Sequence, residues 1–335
     1  MFIIAEAGVN HNGNISIAKQ LIDMAKRCGA DAVKFQTFKA EDVVDSHESK
    51  VGYQKLNDTT VETQFQMLKR LELSYDQFLE LKNYCDQIDI MFLSTPFSIE
   101  AMEFLMDIDM QIIKLSSTEV TNLPFLEKVA SFNKPVILST GMSYFDEIVT
   151  ATDTLKNYGG HDITLLHCTT NYPTSLVDAN LLAMDKLKAL SSKVGFSDHT
   201  ASSLCAIIAT SRGACTIEKH ITLDRNMPGP DHKASADENE FKKYVAQIRN
   251  VEIALGDGLK VPTKSEYIMR DKVRRSIVAK IDIPKGIVID SSMLTFRRPA
   301  TGISPVFYNN ILGNKAAVDI KKDTFIEAFQ IENFH

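Results

Sequence analysis

Cysteine is scarce in this chain: five residues in 335, Cys28, Cys85, Cys168, Cys205 and Cys215, with no C-x-x-C pair among them. An odd number of thiols with apolar neighbours does not make a disulfide framework or a closed thiolate metal site, and it fits reduced, buried side chains in a cytoplasmic protein. No apolar run approaches the roughly 20 residues needed to span a bilayer, and M-F-I-I-A-E at the start has no basic region before its apolar residues, so neither a membrane span nor a signal peptide is expected. There is no basic excess either. The net charge is −6, and no basic stripe suggests a nucleic-acid surface. Both glycine-rich nucleotide fingerprints, G-x-x-x-x-G-K-[ST] and G-x-G-x-x-G after a strand, are missing, so a nucleotide is not indicated.

What is present is a regular alternation. Short apolar runs at Phe2–Ala7, Ala32–Thr37, Met91–Ser94, Ile112–Leu115, Val136–Ser139, Ile163–His167, Val194–Ser197 and Cys215–Glu218 are separated by amphipathic stretches. Those stretches predict helices near Ile15–Cys28, Thr63–Leu73, Tyr75–Ile88, Ile99–Asp107, Leu123–Phe132, Phe145–Tyr158, Ser202–Arg212 and Glu238–Ala254. Eight β-then-α units in about 255 residues match a (β/α)₈ TIM barrel. Residues 38–62 are polar and irregular, include Tyr53 and Gln54, and are long for a barrel connection, which makes them a lid candidate. After Gly256 the character changes. The reading is a barrel over 1–258, a linker over 259–274, and a small β-rich domain over 275–335 with strands near Ser276–Ala279, Gly286–Ile289, Met293–Phe296, Ala317–Val318 and Phe325–Ala328.

The strand ends carry the chemistry. Glu6, Lys34 with Gln36, Ser94 with Thr95, Lys114 with Ser117, Ser139, the His167–Tyr172 segment, His199 and His220 all fall at or just after predicted strands. In a barrel these converge on the C-terminal face, where active sites sit. A lysine inside an apolar strand needs an anion or must lose its proton. Lys34 and Lys114, joined by Ser117, Ser139 and Ser197, make a donor-rich pocket suited to a phosphate or a phosphate-plus-carboxylate ligand. His199 and His220 end neighbouring strands about 4.8 Å apart and are able to share one divalent ion, with open positions for water and substrate oxygen. Two ordinary strand-end histidines are the plainer alternative; Asp231 and His232 just downstream weigh against it. Glu119 adds a carboxylate at the same rim and is a proton-transfer candidate. A phosphate subsite beside a carbonyl-binding metal suggests carbon–carbon bond formation with a phosphorylated enol. A barrel metallohydrolase is the rival of another class, but it usually gathers three or more ligands and needs no paired lysines; a non-catalytic carbohydrate- or ice-binding protein leaves the polar rim unexplained.

At these residues the chain resembles the sialic acid synthases, a family that includes N-acetylneuraminate, legionaminate and pseudaminate synthases. The resemblance spans essentially the full length and rests on I-A-E-A-G-V-N-H-N-G (Ile4–Gly13), V-K-F-Q-T-F-K-A (Val33–Ala40), S-T-P-F (Ser94–Phe97), L-S-T-G-M (Leu138–Met142), G-F-S-D-H-T (Gly195–Thr200), E-K-H-I-T-L-D (Glu218–Asp224) and P-G-P-D-H-K-A-S (Pro228–Ser235). The tail, with R-R-S-I-V-A (Arg274–Ala279) and F-R-R-P-A-T-G-I-S (Phe296–Ser304), resembles the family's antifreeze-like SAF domain. The resemblance implies condensation of phosphoenolpyruvate with an N-acetylmannosamine-type aldehyde to a nine-carbon α-keto acid, with a 2,4-diacetamido-6-deoxy sugar as the alternative acceptor. It implies a divalent metal, manganese first and magnesium or cobalt otherwise, on His199 and His220. Phosphoenolpyruvate would be held by Lys34, Lys114, Ser117, Ser139, Ser197 and either Thr170 or Asn171. The sugar would meet Glu6, Gln36, Thr95, Tyr172 and Asp231. Arg298 would serve the site of a second subunit, implying a domain-swapped homodimer. One departure stands out: K-L-S-S-T-E (Lys114–Glu119) has Thr118 where the family has glycine.

Overall fold

The predicted apolar runs pair edge to edge in parallel. In the computed structural model, which describes residues 1–50 and 60–334, the strands are β1 (Phe2–Gly8), β2 (Ala32–Thr37), β3 (Met91–Pro96), β4 (Ile113–Leu115), β5 (Val136–Ser139), β6 (Ile163–His167), β7 (Lys193–Asp198) and β8 (Thr216–His220). Their order is β3-β2-β1-β8-β7-β6-β5-β4, so the first and last strands are bonded neighbours and the sheet curls round on itself. β3 and β4 face each other across the remaining seam, where no ladder is formed among the described residues. Helices alternate with the strands, as a (β/α)₈ barrel requires. The lid candidate's Tyr53 and Gln54 lie outside the described residues.

Strand burial explains the continuous apolar runs: β5 is wholly buried, and β1 is buried from Ile3 onward. A parallel sheet covered by helices on its outside leaves no solvent face for polar alternation. Gly195 in β7 is required by space. A Cβ there would stand 2.4 Å from the Thr216 carbonyl oxygen and 2.5 Å from Leu166 Cδ2. Helix boundaries follow capping chemistry. Asn14 accepts from Ser16 N at 2.8 Å to open Ile15–Cys28, and Gly29 closes it at φ 83°. The helix expected over Thr63–Leu73 stops at Leu71, because Glu72 turns to extended backbone before Ser74 opens the next helix with a capping box to Gln77.

The chain divides into two compact units, Met1–Gly256 and Asp257–His335. Within the stretch expected as a linker lies a helix, Lys264–Val273, opened by a Thr263–Glu266 capping box and with no buried residue. The second unit has one antiparallel pair, β9 (Ser276–Ala279) with β10 (Leu294–Arg297). The strands expected at Gly286–Ile289, Ala317–Val318 and Phe325–Ala328 are not continuous. Their surroundings make only single bridges (Val288 to Lys315, Ala316 to Ile331, Val278 to Phe325), and Ala328–Gln330 is a 3₁₀ turn. Gly286 and Gly313, each at φ 83°, bend the backbone before a second pair can form. A small core of isoleucines, among them Ile277, Ile283, Ile289, Ile311, Ile320 and Ile326, holds this unit together.

Candidate active site

Side chains two apart on a strand share a face, so the barrel's register decides which polar groups meet. Glu6 on β1 is paired in register with Lys34 on β2 and with His220 on β8, and Ser197 on β7 with Glu218 on β8. The outcome is one cavity of about 70 Å³ lined by Glu6, Lys34, Gln36, Thr95, Phe97, Lys114, Ser116, Ser117, Ser139, Cys168, Tyr172, Ser197, His199, Glu218 and His220. Eleven residues singled out from the sequence as phosphate-, sugar- or metal-facing therefore converge.

The charges inside are paired. Lys34 Nζ stands 2.6 Å from Glu6 Oε2, donates to Thr95 Oγ1 at 3.0 Å, and lies 3.9 Å from Glu218. Lys114 Nζ donates to Ser139 Oγ at 2.8 Å and lies 3.7 Å from Glu218 Oε1. Ser197 Oγ donates to the same oxygen at 3.1 Å. Gln36 Nε2 donates to Glu6 Oε1 at 3.0 Å. Burial drives the ionisation balance. It raises the Glu6 carboxyl, against the pull of Lys34, whereas for Glu218 the combined pull of Lys114 and Lys34 overcomes burial and the pKa falls. Burial also pulls on Lys34, but Glu218 and Glu6 outweigh it and its pKa rises; at Lys114 burial wins and the pKa falls.

The two imidazoles face each other with ring centroids 5.6 Å apart, and Tyr172 packs on both, at 4.1 Å from His199 and 5.5 Å from His220. Burial lowers His199 to about 4 and takes His220 well below the usual imidazole value, so both are neutral near pH 7. His199 Nδ1 donates to the Thr169 carbonyl at 2.7 Å, which leaves Nε2, 3.3 Å from Ser197 Oγ, with its lone pair free. His220 Nδ1 is buried with no hydrogen-bond partner. Neutral rings with an oriented tautomer and an orphaned nitrogen suit a metal ion. No group of three or more His, Cys, Asp and Glu able to hold one occurs among the described residues, so the pair alone would leave most positions open.

Other expected residues lie elsewhere. Thr170 and Asn171 line an adjoining cavity of about 840 Å³ that shares Cys168 with the first. That space is larger but more apolar, with Met142, Tyr144, Phe145 and Leu187 in its wall, so the chemistry belongs to the smaller one. Glu119 is outside the lining, its carboxylate held by Thr118 Oγ1 at 2.9 Å and Asn122 Nδ2 at 2.7 Å. Arg298 is part of the second unit. Asp231 is buried in the loop after β8, and burial alone raises its carboxyl to about 6. A carboxyl whose folded pKa exceeds its unfolded value of about 3.9 weakens the fold as it ionises, so the stability present below pH 4 is lost as pH rises to about 6. Asp231→Asn is expected to remove that loss, gaining on the wild type by on the order of 2–3 kcal/mol between pH 4 and 6.5. Denaturant unfolding across that range measures it, and parallel curves would mean the carboxyl is compensated. The sequence reading missed Glu218 as a site residue, although its two-residue spacing from His220 in an otherwise apolar strand was the available signal; it also missed Phe97, Ser116 and Cys168.

Barrel and cavity together define a barrel enzyme of the condensing-synthase type. The chain belongs to the NeuB family: the family model matches residues 21–260, and the SAF domain model matches residues 274–332. It is similar to the N,N'-diacetyllegionaminic acid synthase of Campylobacter jejuni, 46% identical over 97% of this chain and 98% of that protein. It is also similar to the protein of the same name from Legionella pneumophila, 45% identical over 96% of this chain and 92% of that protein. Among solved structures it resembles the N-acetylneuraminic acid (sialic acid) synthetase of Leptospira borgpetersenii in complex with citrate, at 34% identity and a TM-score of 0.70, covering 80% of this chain and 89% of that one.

Proposed function

We propose that this synthase condenses phosphoenolpyruvate with the open-chain aldehyde of an N-acylated amino-sugar, giving a nine-carbon α-keto acid and inorganic phosphate. The observation that carries the reading is the meeting of two buried ammonium groups and two neutral imidazoles in one cavity. Lys34 and Lys114, with Ser117, Ser139 and Ser197, bind the phosphate and carboxylate of the enol. Gln36, Thr95 and Tyr172 face the sugar, with Glu6; a sugar contact for Asp231, which lies outside the cavity lining, rests on the family resemblance alone. A divalent ion on His199 and His220, manganese first and magnesium or cobalt otherwise, would polarise the aldehyde oxygen. C3 of the enol forms a bond to the aldehyde carbon, whose oxygen takes up a proton. Water adds at C2 and gives up a proton; the C2–O bond to phosphate then breaks, the remaining hydroxyl proton passes to the departing phosphate, and C2 becomes the keto carbon. Glu218, ionised and bonded to Ser197, is the acceptor that orients the water.

The acceptor sugar has two readings. An N-acetylmannosamine-type sugar is the one the family resemblance implies first. A 2,4-diacetamido-6-deoxy sugar is favoured by the names of the 46% and 45% identical relatives. The reading extends to a domain-swapped homodimer that shares Arg298 between subunits, which rests on the family resemblance, and to a cytoplasmic location, which rests on the unpaired, apolar-flanked cysteines. Phosphate release from phosphoenolpyruvate is expected only with one of these sugars and a divalent ion present, and product mass separates the two sugars. Release in the presence of excess chelator would remove the metal from the reading, and release without any amino-sugar would remove the condensation.

A further inference from the structure

Alternation along β8 places its one lysine on the opposite side of the strand from the catalytic groups. Lys219 lies between Glu218 and His220 in sequence, is 4% exposed, and points to the helix Glu238–Leu255, where its ammonium sits 5.7 Å from the Tyr244 ring. It forms the floor of a cleft of about 240 Å³ separate from the catalytic cavity. Arg225 and Lys243 line the same cleft, and Glu240 is its one carboxylate.

The cations there are incompletely neutralised. Lys219 donates to the Thr200 carbonyl and lies 3.8 Å from Asp198. That carboxylate already accepts from Thr200 N at 2.8 Å, Thr200 Oγ1 at 2.7 Å and the Tyr244 hydroxyl at 2.9 Å. Arg225 gives Nε to the Ser235 carbonyl and one terminal nitrogen to Glu240, both at 2.8 Å, which leaves its other terminal nitrogen. Lys243 has no ion pair among the described residues. The cleft also reaches the start of the eight-residue helix Leu204–Ser211, where Ser203 at the cap makes no side-chain hydrogen bond to the first turn. Three cations against two carboxylates, Glu240 in the lining and Asp198 behind Lys219, leave one positive charge in excess beside a helix start where Leu204 N donates to Ser202 Oγ at 3.4 Å, an environment that favours an oxyanion.

We propose that this cleft binds a phosphate-class dianion, either free phosphate or the phosphoryl end of a monoester, independently of the catalytic cavity. The test is calorimetric titration of the full-length, metal-free protein with inorganic phosphate, and in parallel with glycerol phosphate to distinguish the two sources. Two binding phases are expected for inorganic phosphate. Lys243→Met should weaken one at least tenfold, and Ser202→Asp, which sets a carboxylate at the cleft mouth, should abolish the same phase; turnover at saturating substrates should stay within twofold of wild type for Lys243→Met. Lys114→Met should remove the other phase, so failure of the catalytic reading and failure of this one are distinguishable. A single phase removed by Lys114→Met and untouched by Lys243→Met and Ser202→Asp would overturn the proposal, as would no measurable heat.

Discussion

Glu218→Gln is expected to lower kcat by two orders of magnitude or more while the KM for phosphoenolpyruvate stays level or falls. The substitution keeps side-chain size and the capacity to accept from Ser197, but removes the only carboxylate that lies within 4 Å of both Lys114 and Lys34 among the described residues. Losing that negative charge leaves the pocket more cationic, which favours an anionic enol in the ground state. What is lost is the ionised acceptor to which the proposed mechanism assigns the attacking water, and a positioned group of this kind typically contributes 10²–10⁴-fold. The fold should suffer too. Breaking a buried charge cluster by removing one partner commonly costs about 3–5 kcal/mol, although Glu6 still partners Lys34 and so moderates the effect. Steady-state kinetics on variant that retains its near-UV signature measures the split. A raised KM with unchanged kcat would reduce Glu218 to a structural counter-ion.

The barrel was largely legible because its signal is redundant. Each strand of a buried parallel sheet is a largely apolar run, and a polar group within it or at its end stands out against it, as Lys34 does in A-V-K-F-Q-T. The pairing of His199 with His220 followed from strand spacing alone, and their rings do meet. Other features depend on information no local pattern carries. Glu218 reads as a charge in a strand; its importance comes from two lysines that arrive from β2 and β4, far away in sequence. Glu119 lies near Lys114 in the chain, yet its own loop turns the carboxylate onto Thr118 and Asn122. Thr118 stands where the family resemblance implies glycine, and its hydroxyl is one of the two groups holding that carboxylate. In the second unit, five short β-like runs suggested five strands, but isolated bridges between bent segments satisfy the same isoleucine core with two.

Lys114→Met is expected to cost 10²–10³ in kcat/KM for phosphoenolpyruvate with little change in stability, and the second half of that statement makes the first informative. Burial already depresses the Lys114 pKa, so the folded protein gains little from housing this charge. Methionine fills a similar volume without it, and Glu218 keeps Lys34 at 3.9 Å and the Ser197 hydroxyl at 3.1 Å. The bound enol has no such substitute. Lys114 and Ser139 form one side of the anion-binding wall, linked at 2.8 Å, and each charge-assisted bond to a phosphate or carboxylate oxygen is worth roughly 1.5–3 kcal/mol. One strong bond or two weaker ones, together about 3–4 kcal/mol at about 1.4 kcal/mol per tenfold, give the stated range. Lys34→Met should behave differently, because it strands Glu6, whose nearest cation is Lys34 at 2.6 Å. That variant is expected to lose both activity and thermal stability, while Lys114→Met loses activity alone. Thermal unfolding and phosphate-release kinetics on the two purified variants give the comparison; a Lys114→Met protein with the wild-type KM and kcat would place the anion elsewhere in the barrel.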